Sequence, residues 1–94
     1  MTMTTPLFPL GTIVATPGAL AALAPHPGLL PRLITRHSRG DWGDVDAHDR
    51  RANDEAVADG SRIFSAYATP DGVKLWVITE ADRSSTCVLL PDEY

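Results

Sequence analysis

Side chains that could do chemistry are concentrated in one stretch of the sequence, from Arg36 to Asp49. Here His37 could act as a general base, because imidazole titrates near neutral pH, with Asp41 orienting its ring. Asp44 would complete the site of a small hydrolase or a metal-dependent nuclease. The catalytic hypothesis therefore depends on His37, Asp41 and Asp44.

The same stretch could instead collect Asp44, Asp46 and His48 around a divalent cation. Their spacing matches no known metal-ligand pattern, so we predict neither a metal site nor a cofactor. Two helix ends that meet in a tight loop also need caps, and short Asp side chains ordinarily supply them. We prefer this structural interpretation to the catalytic one.

Protein binding is the function that these residues favour, because Trp and Arg are enriched at binding hot spots. Trp42 could be such an anchor, or it could fill the seam between helices and sheet. The Arg83 guanidinium could bind a carboxylate or phosphate through two parallel hydrogen bonds, or it could pair with Glu80 or Asp82 in a solvent-facing turn. The predicted binding residues are Arg36, Arg39, Asp41, Trp42, Asp44 and Arg83.

The charge of the chain excludes broad nucleic-acid binding. Twelve acids against eight Lys and Arg give a net charge of -4, which repels polyanions. A DNA-binding regulator would have only the basic pairs Arg36/Arg39 and Arg50/Arg51 for phosphates, so we rank it last. Asp41 to Asp59 holds seven acids and two bases. Such a surface could imitate nucleic-acid charge and compete for a basic groove on another protein.

Hydrophobic spacing and turn residues predict the elements of the first two thirds. Thr16 and Asp46 are expected N-caps, and Gly40 and Gly60 are expected helix stops. The third helix has a thin apolar stripe, so it should lie against the sheet or cover an edge, with residues 53–55 on its solvated face. The predicted elements are a strand over 10–16 and helices over 17–23, 29–38 and 47–59.

The last third is rich in β-branched and aromatic residues and predicts three strands, over 62–68, 73–79 and 86–90. Pro70 and Gly72 favour a tight hairpin turn between the first two. Together the elements predict an α+β domain. An N-terminal strand and two to three short helices precede a three-stranded antiparallel meander, with the helices packed on one face.

The length allows one domain, which we place at 10–94 after a flexible N-terminal lead-in over 1–9. No apolar stretch is long enough for a membrane span, and residues 1–30 contain no Lys or Arg of a secretory signal. The single Cys87 allows no intramolecular disulfide. We therefore expect a cytoplasmic protein with no membrane partner, and the open edge of the meander would allow a homodimer.

Four blocks of the sequence carry a resemblance that spans nearly the whole chain. They are residues 11–20, residues 36–37 with 40–44, residues 53–54 with 60–63, and residues 76–84 with 91–94. These blocks resemble a family of small plasmid- and phage-borne bacterial proteins, generally described as hypothetical or plasmid-related and in some cases linked to type I restriction enzymes. The resemblance implies a mobile-element accessory protein. Its partner would be a host or plasmid-encoded protein, such as a host-defence or nucleic-acid-processing protein that it inhibits. The chain is too short for a methyltransferase domain.

Overall fold

A computed structural model describes residues 5–94 of the chain. Its element order is the predicted one, and the α+β class is confirmed. None of the helices in this part of the chain is long and apolar enough to cross a membrane. The elements are β1 (Thr12–Ala15), α1 (Pro17–Leu23), α2 (Leu29–Ser38), α3 (Ala47–Asp59), β2 (Ile63–Ala68), β3 (Lys74–Thr79), β4 (Ser85–Leu89) and a final 3-10 turn over Pro91–Glu93.

The strands form one four-stranded sheet in the order β1-β4-β3-β2. The antiparallel meander of β2, β3 and β4 is confirmed, and Val77 lies opposite both Ser65 and Val88. β1 adds to the outer side of β4 in parallel, with Val14 opposite Cys87. The sheet as a whole is therefore mixed, because the chain crosses back through the helices before β4 is laid beside β1.

The helix ends use the predicted caps. The Thr16 hydroxyl accepts from the Ala19 N–H at 3.1 Å, and the Asp46 carboxylate accepts from the Asp49 N–H at 2.8 Å. Gly60 ends α3 in the left-handed conformation, at a φ of 82°. Each cap satisfies backbone groups that the helix itself leaves free, which fixes where the elements begin and end.

Two apolar clusters hold the helices to the sheet. The larger lies between α1, α2 and one face of the sheet, where Leu33, Leu75, Val77 and Val88 are almost fully buried. The smaller lies beside α3, and Leu10 packs against both clusters. It consists of Phe8, Trp42, Val45, Ala56 and Ile63.

The N-terminal segment is anchored earlier than the sequence predicts. Residues 1–4 lie outside the described part of the chain, but Phe8 is only 4% exposed, and the Leu7 N–H donates to the Ser38 carbonyl at 2.8 Å. The Phe8 ring packs edge-on against His37 and is stacked on Trp42. The predicted domain start at residue 10 is therefore too late, since a flexible segment could not supply a core residue.

The third helix covers the outer edge of β2. There the side-chain amide of Asn53 donates to the Phe64 carbonyl at 2.6 Å and accepts from the Phe64 N–H at 3.1 Å. The next outward-facing residue, Ala66, donates to the Trp42 carbonyl and accepts from the Asp44 N–H. This edge is thus closed. The prediction that Asn53 belongs to the solvated face is wrong, because its side chain replaces a neighbouring strand.

Candidate binding site

His37 lies in the interior, and both of its ring nitrogens are bonded to hydroxyl groups. Nδ1 is 2.6 Å from Ser65 Oγ and Nε2 is 2.9 Å from Thr79 Oγ1. Thr79 in turn shares a 2.7 Å hydrogen bond with Thr86, which donates to the Leu10 carbonyl. The ring is 0% exposed, and its burial lowers the pKa to about 4. His37 is therefore a neutral core residue, out of reach of a substrate.

The hydroxyl groups around His37 are a set that the sequence reasoning missed. Ser65, Thr79 and Thr86 lie on three different strands and are all buried. The sequence feature that indicates their burial is the two-residue alternation of the strands, which places Ser65 on the same face as Ile63 and Tyr67. Nothing local marks them as partners of a histidine 28 and 42 residues away.

Asp41 pairs with Arg36, and His37 points away from both. The guanidinium donates to the two carboxylate oxygens at 2.7 and 3.1 Å, which lowers the pKa of Asp41 and raises that of Arg36. Arg36 also lies 4.6 Å from the centre of the Tyr67 ring, whose hydroxyl donates to the Asp41 carbonyl. The pair of His37 and Asp41 that the catalytic hypothesis needs is not formed, since adjacent helical positions project in different directions.

Trp42 is buried in the seam between α3 and the sheet, at 3% exposure. Its indole N–H donates to Asp54 at 3.0 Å. Of the two placements considered from the sequence, this is the seam between helices and sheet, and it leaves no exposed tryptophan at this position. Beside it, Gly43 has a φ of 75°, and a Cβ there would be 2.0 Å from the Ala66 carbonyl oxygen. The close approach that seats Trp42 therefore requires glycine.

Arg83 holds the end of α3 through its guanidinium. Its guanidinium donates to the carbonyl oxygens of Ala56 at 2.8 Å, Ser61 at 2.7 Å and Glu80 at 3.2 Å. Its backbone has a φ of 61°, which is unusual for a residue with a side chain. Three of the five guanidinium N–H donors are thus directed at backbone carbonyl oxygens, so the side chain joins α3 to the turn before β4.

One group of side chains has ligand atoms close enough to share a metal ion. Asp46, His48 and Asp49 place one such atom each within 4.8 Å of one another, without Asp44. All three are at the surface, and the Asp46 carboxylate is already engaged in capping α3. Surface acids at a helix start are common without any ion.

An open groove lies between the start of α3 and the β2–β3 hairpin, with a volume of about 440 Å³. Its floor is the outward face of the two strands, where Phe64 and Trp76 meet edge-to-face at 5.0 Å. Three carboxylates, Asp44, Asp46 and Asp49, line its α3 side. We call this cavity the acidic groove. It is lined by residues 44–46, 49, 64, 66–68, 72, 74 and 76.

A second cavity, of about 250 Å³, continues from the acidic groove across the sheet. The two share Asp49, Phe64 and Trp76 as lining residues. At its far side the Arg62 guanidinium lies 5.4 Å from the centre of the Tyr94 ring, and Tyr94 packs edge-on against Trp76. Together the cavities make one depression with aromatic residues along its floor.

The predicted binding residues are spread over different surroundings. Arg36, Arg39 and Asp41 line a shallow cavity of about 310 Å³ at the end of α2, and Asp44 lines the acidic groove. Trp42 and Arg83 serve internal contacts, and Arg83 lines neither of the two cavities beside Asp41. The sequence singled out one acid of the groove but not Trp76. The sequence feature that could have identified Trp76 is its place on the outward face of β3, an inner strand of the sheet.

Comparison with known proteins finds no matching family model, no similar curated protein and no similar solved structure.

Proposed function

We propose that this protein is a small acidic accessory protein of a mobile element that works by binding another protein. The partner is a host or plasmid-encoded protein with a basic surface, such as a host-defence or nucleic-acid-processing protein, which the binding inhibits. The mobile-element setting depends on the sequence resemblance described above. The binding mode is supported by the surface of α3 and the loop before it.

The observation that carries the proposal is the exposure of the acids in this segment. Within the segment from residue 44 to residue 59 the only Lys or Arg residues are Arg50 and Arg51, both of which are exposed as well. The exposed acids between residues 44 and 59 are Asp44, Asp46, Asp54, Glu55 and Asp59. A surface of one dominant sign raises the rate of encounter with an oppositely charged partner and repels nucleic acid. It could therefore occupy a basic groove that otherwise holds nucleic acid.

Binding is better supported than the alternative of a small hydrolase or nuclease. That alternative needs His37, Asp41 and Asp44 around one substrate, whereas His37 is buried and Asp41 is held by Arg36. Catalytic groups act within hydrogen-bond reach of the substrate or through one water. The open groove, by contrast, offers aromatic and charged groups that a partner can reach without any rearrangement.

The test is co-purification from a bacterial lysate with tagged wild-type protein and two charge variants, at low and at high salt. Glu55→Lys reverses one exposed charge, and Ala58→Glu adds one on the same helix. We expect a specific basic protein that elutes at high salt, with a yield about fivefold lower for Glu55→Lys and undiminished for Ala58→Glu. Capture by the two variants in equal amounts, or of no specific protein, would contradict the proposal.

A further inference from the structure

We infer that the acidic groove receives an arginine side chain from an apolar segment of the partner. The inference rests on the proposed function and names the part of the partner that is recognised. It depends on three features of the groove, namely its unpaired carboxylates, its aromatic floor and the closed edge of β2.

The carboxylates of the groove have no cationic partner within the described chain. Among residues 5–94 no Lys or Arg nitrogen lies within 4.0 Å of Asp44, Asp46 or Asp49, and His48 is the only basic side chain that approaches one of them. Lys74 lines the hairpin end of the groove without pairing with any of the three. Three acids on one wall therefore leave a local excess of negative charge that favours an incoming cation.

The floor of the groove suits a planar cation better than a compact one. Trp76 is half-buried and presents its indole beside Phe64, and tryptophan binds cations more strongly than the other aromatic residues do. A guanidinium can stack on a ring while it donates to a carboxylate in a fork, which an ammonium cannot do. The same depression already shows this chemistry within the chain, where Arg62 lies over the Tyr94 ring.

The partner must enter from the face of the sheet. Asn53 and the backbone of Trp42 and Asp44 occupy the outward hydrogen-bonding groups of Phe64 and Ala66 in the middle of β2, so a peptide cannot add along this edge as a fifth strand. Side chains therefore carry the recognition. The arginine stem would lie over Ala66 and Phe64, with apolar neighbours of the arginine on the aromatic floor.

The experiment uses a synthetic peptide, acetyl-Ala-Ala-Leu-Arg-Leu-Ala-Ala-amide, and a matched peptide with citrulline in place of arginine. Citrulline keeps the shape and removes the charge. Binding is followed by NMR through the two indole N–H signals of the protein. Trp76 reports on the groove, and the buried Trp42 is an internal reference. We expect the Trp76 signal to shift and the Trp42 signal to stay, with the arginine peptide bound about tenfold more tightly.

Asp44→Asn tests the carboxylate wall and Asp92→Asn is its control, since both remove one exposed charge but only Asp44 lines the groove. We expect Asp44→Asn to weaken the arginine peptide about fivefold and Asp92→Asn to change its affinity less than about twofold. Equal binding of the two peptides, or equal loss in the two variants, would overturn the inference. If that happened while the salt-sensitive capture persisted, the groove assignment would fall and the proposed function would stand.

Discussion

At His37 a titratable ring is held neutral by its burial, and its two nitrogens bond to the hydroxyl groups of Ser65 and Thr79. Hydroxyls can donate or accept, so they satisfy either tautomer of a neutral imidazole. They cannot supply the negative charge that an imidazolium would need in the interior. The ring is therefore a pH-sensitive part of the core.

This arrangement predicts that the protein loses stability in mild acid. The folded pKa of His37 is about 4 and the unfolded value is near 6.5, so the unfolded chain binds the proton first. The contribution of neutral His37 to the free energy of unfolding is complete above pH 6.5. It declines as the pH falls toward 4, where the loss reaches about 3 kcal/mol. Urea unfolding between pH 7 and pH 4 would measure it. His48→Gln, at an exposed position, should leave the profile unchanged, and a flat profile for the wild type would contradict the prediction.

A second prediction concerns the contact between Gly43 and β2. Gly43→Ala would drive a methyl group into the Ala66 carbonyl, and we expect a loss of about 3 kcal/mol or more in the free energy of unfolding. Gly60→Ala is the matched control, because Gly60 also has a positive φ but its Cβ would meet open space. It should cost only about 1 kcal/mol. Thermal unfolding of both variants would separate the clash from the conformational cost, and equal losses would refute it.

Among the elements, α3 is held to the sheet more by polar groups than by apolar ones. Asn53 and Ala56 are its only buried residues, while Asn53 makes two hydrogen bonds to the β2 backbone and Arg83 ties down its last turn. The helix therefore covers the edge of β2. The position of the helix depends on the side-chain amide of Asn53 and the guanidinium of Arg83.

Asn53→Ala should accordingly have two effects. The loss of two hydrogen bonds to a buried backbone costs about 2 kcal/mol, and it frees the N–H and C=O of Phe64 at the sheet edge. We expect a lower midpoint in urea together with aggregation that increases with protein concentration, seen by light scattering. Glu55→Ala, which removes an exposed side chain from the same helix, should do neither. Aggregation in both variants would point away from the edge.

The bounds of the elements could be predicted because their signals are local. Thr16 and Asp46 are followed by helices, and Pro70 with Gly72 makes the turn of the hairpin, so the chain within a few residues decides each case. The role of Asn53 could not be predicted, because its partner Phe64 lies on another element and the amide looks like any polar surface residue. The parallel pairing of β1 with β4 is likewise decided by contacts between segments that are far apart in the sequence.

For the whole molecule, the charge could be predicted and the groove could not. The acids between residues 41 and 59 are visible in the sequence, but their placement beside Trp76 depends on how α3 is laid along β2. The same holds for Arg83, for which the sequence offered an anion-binding guanidinium or a turn paired with Glu80 or Asp82, whereas the fold supplies three carbonyl partners. Long-range contacts of this kind carry no short sequence signature.

The two edges of the sheet predict a limit on self-association. β2 is closed by Asn53 and the loop before α3, whereas β1 has no strand on its outer side within residues 5–94, and Ile13 and Val14 are exposed there. We expect sedimentation equilibrium to show a mass between one and two chains at any concentration, and Ile13→Lys to give one chain only. A species larger than two chains would contradict this prediction.

In the language of polymer chemistry, such a sheet is monofunctional, with one reactive end and one blocked end. Two copies joined through β1 would present only blocked ends, so growth would terminate there and could not continue into a fibre. The closure of β2 would then protect the assembled pair as well as the single chain.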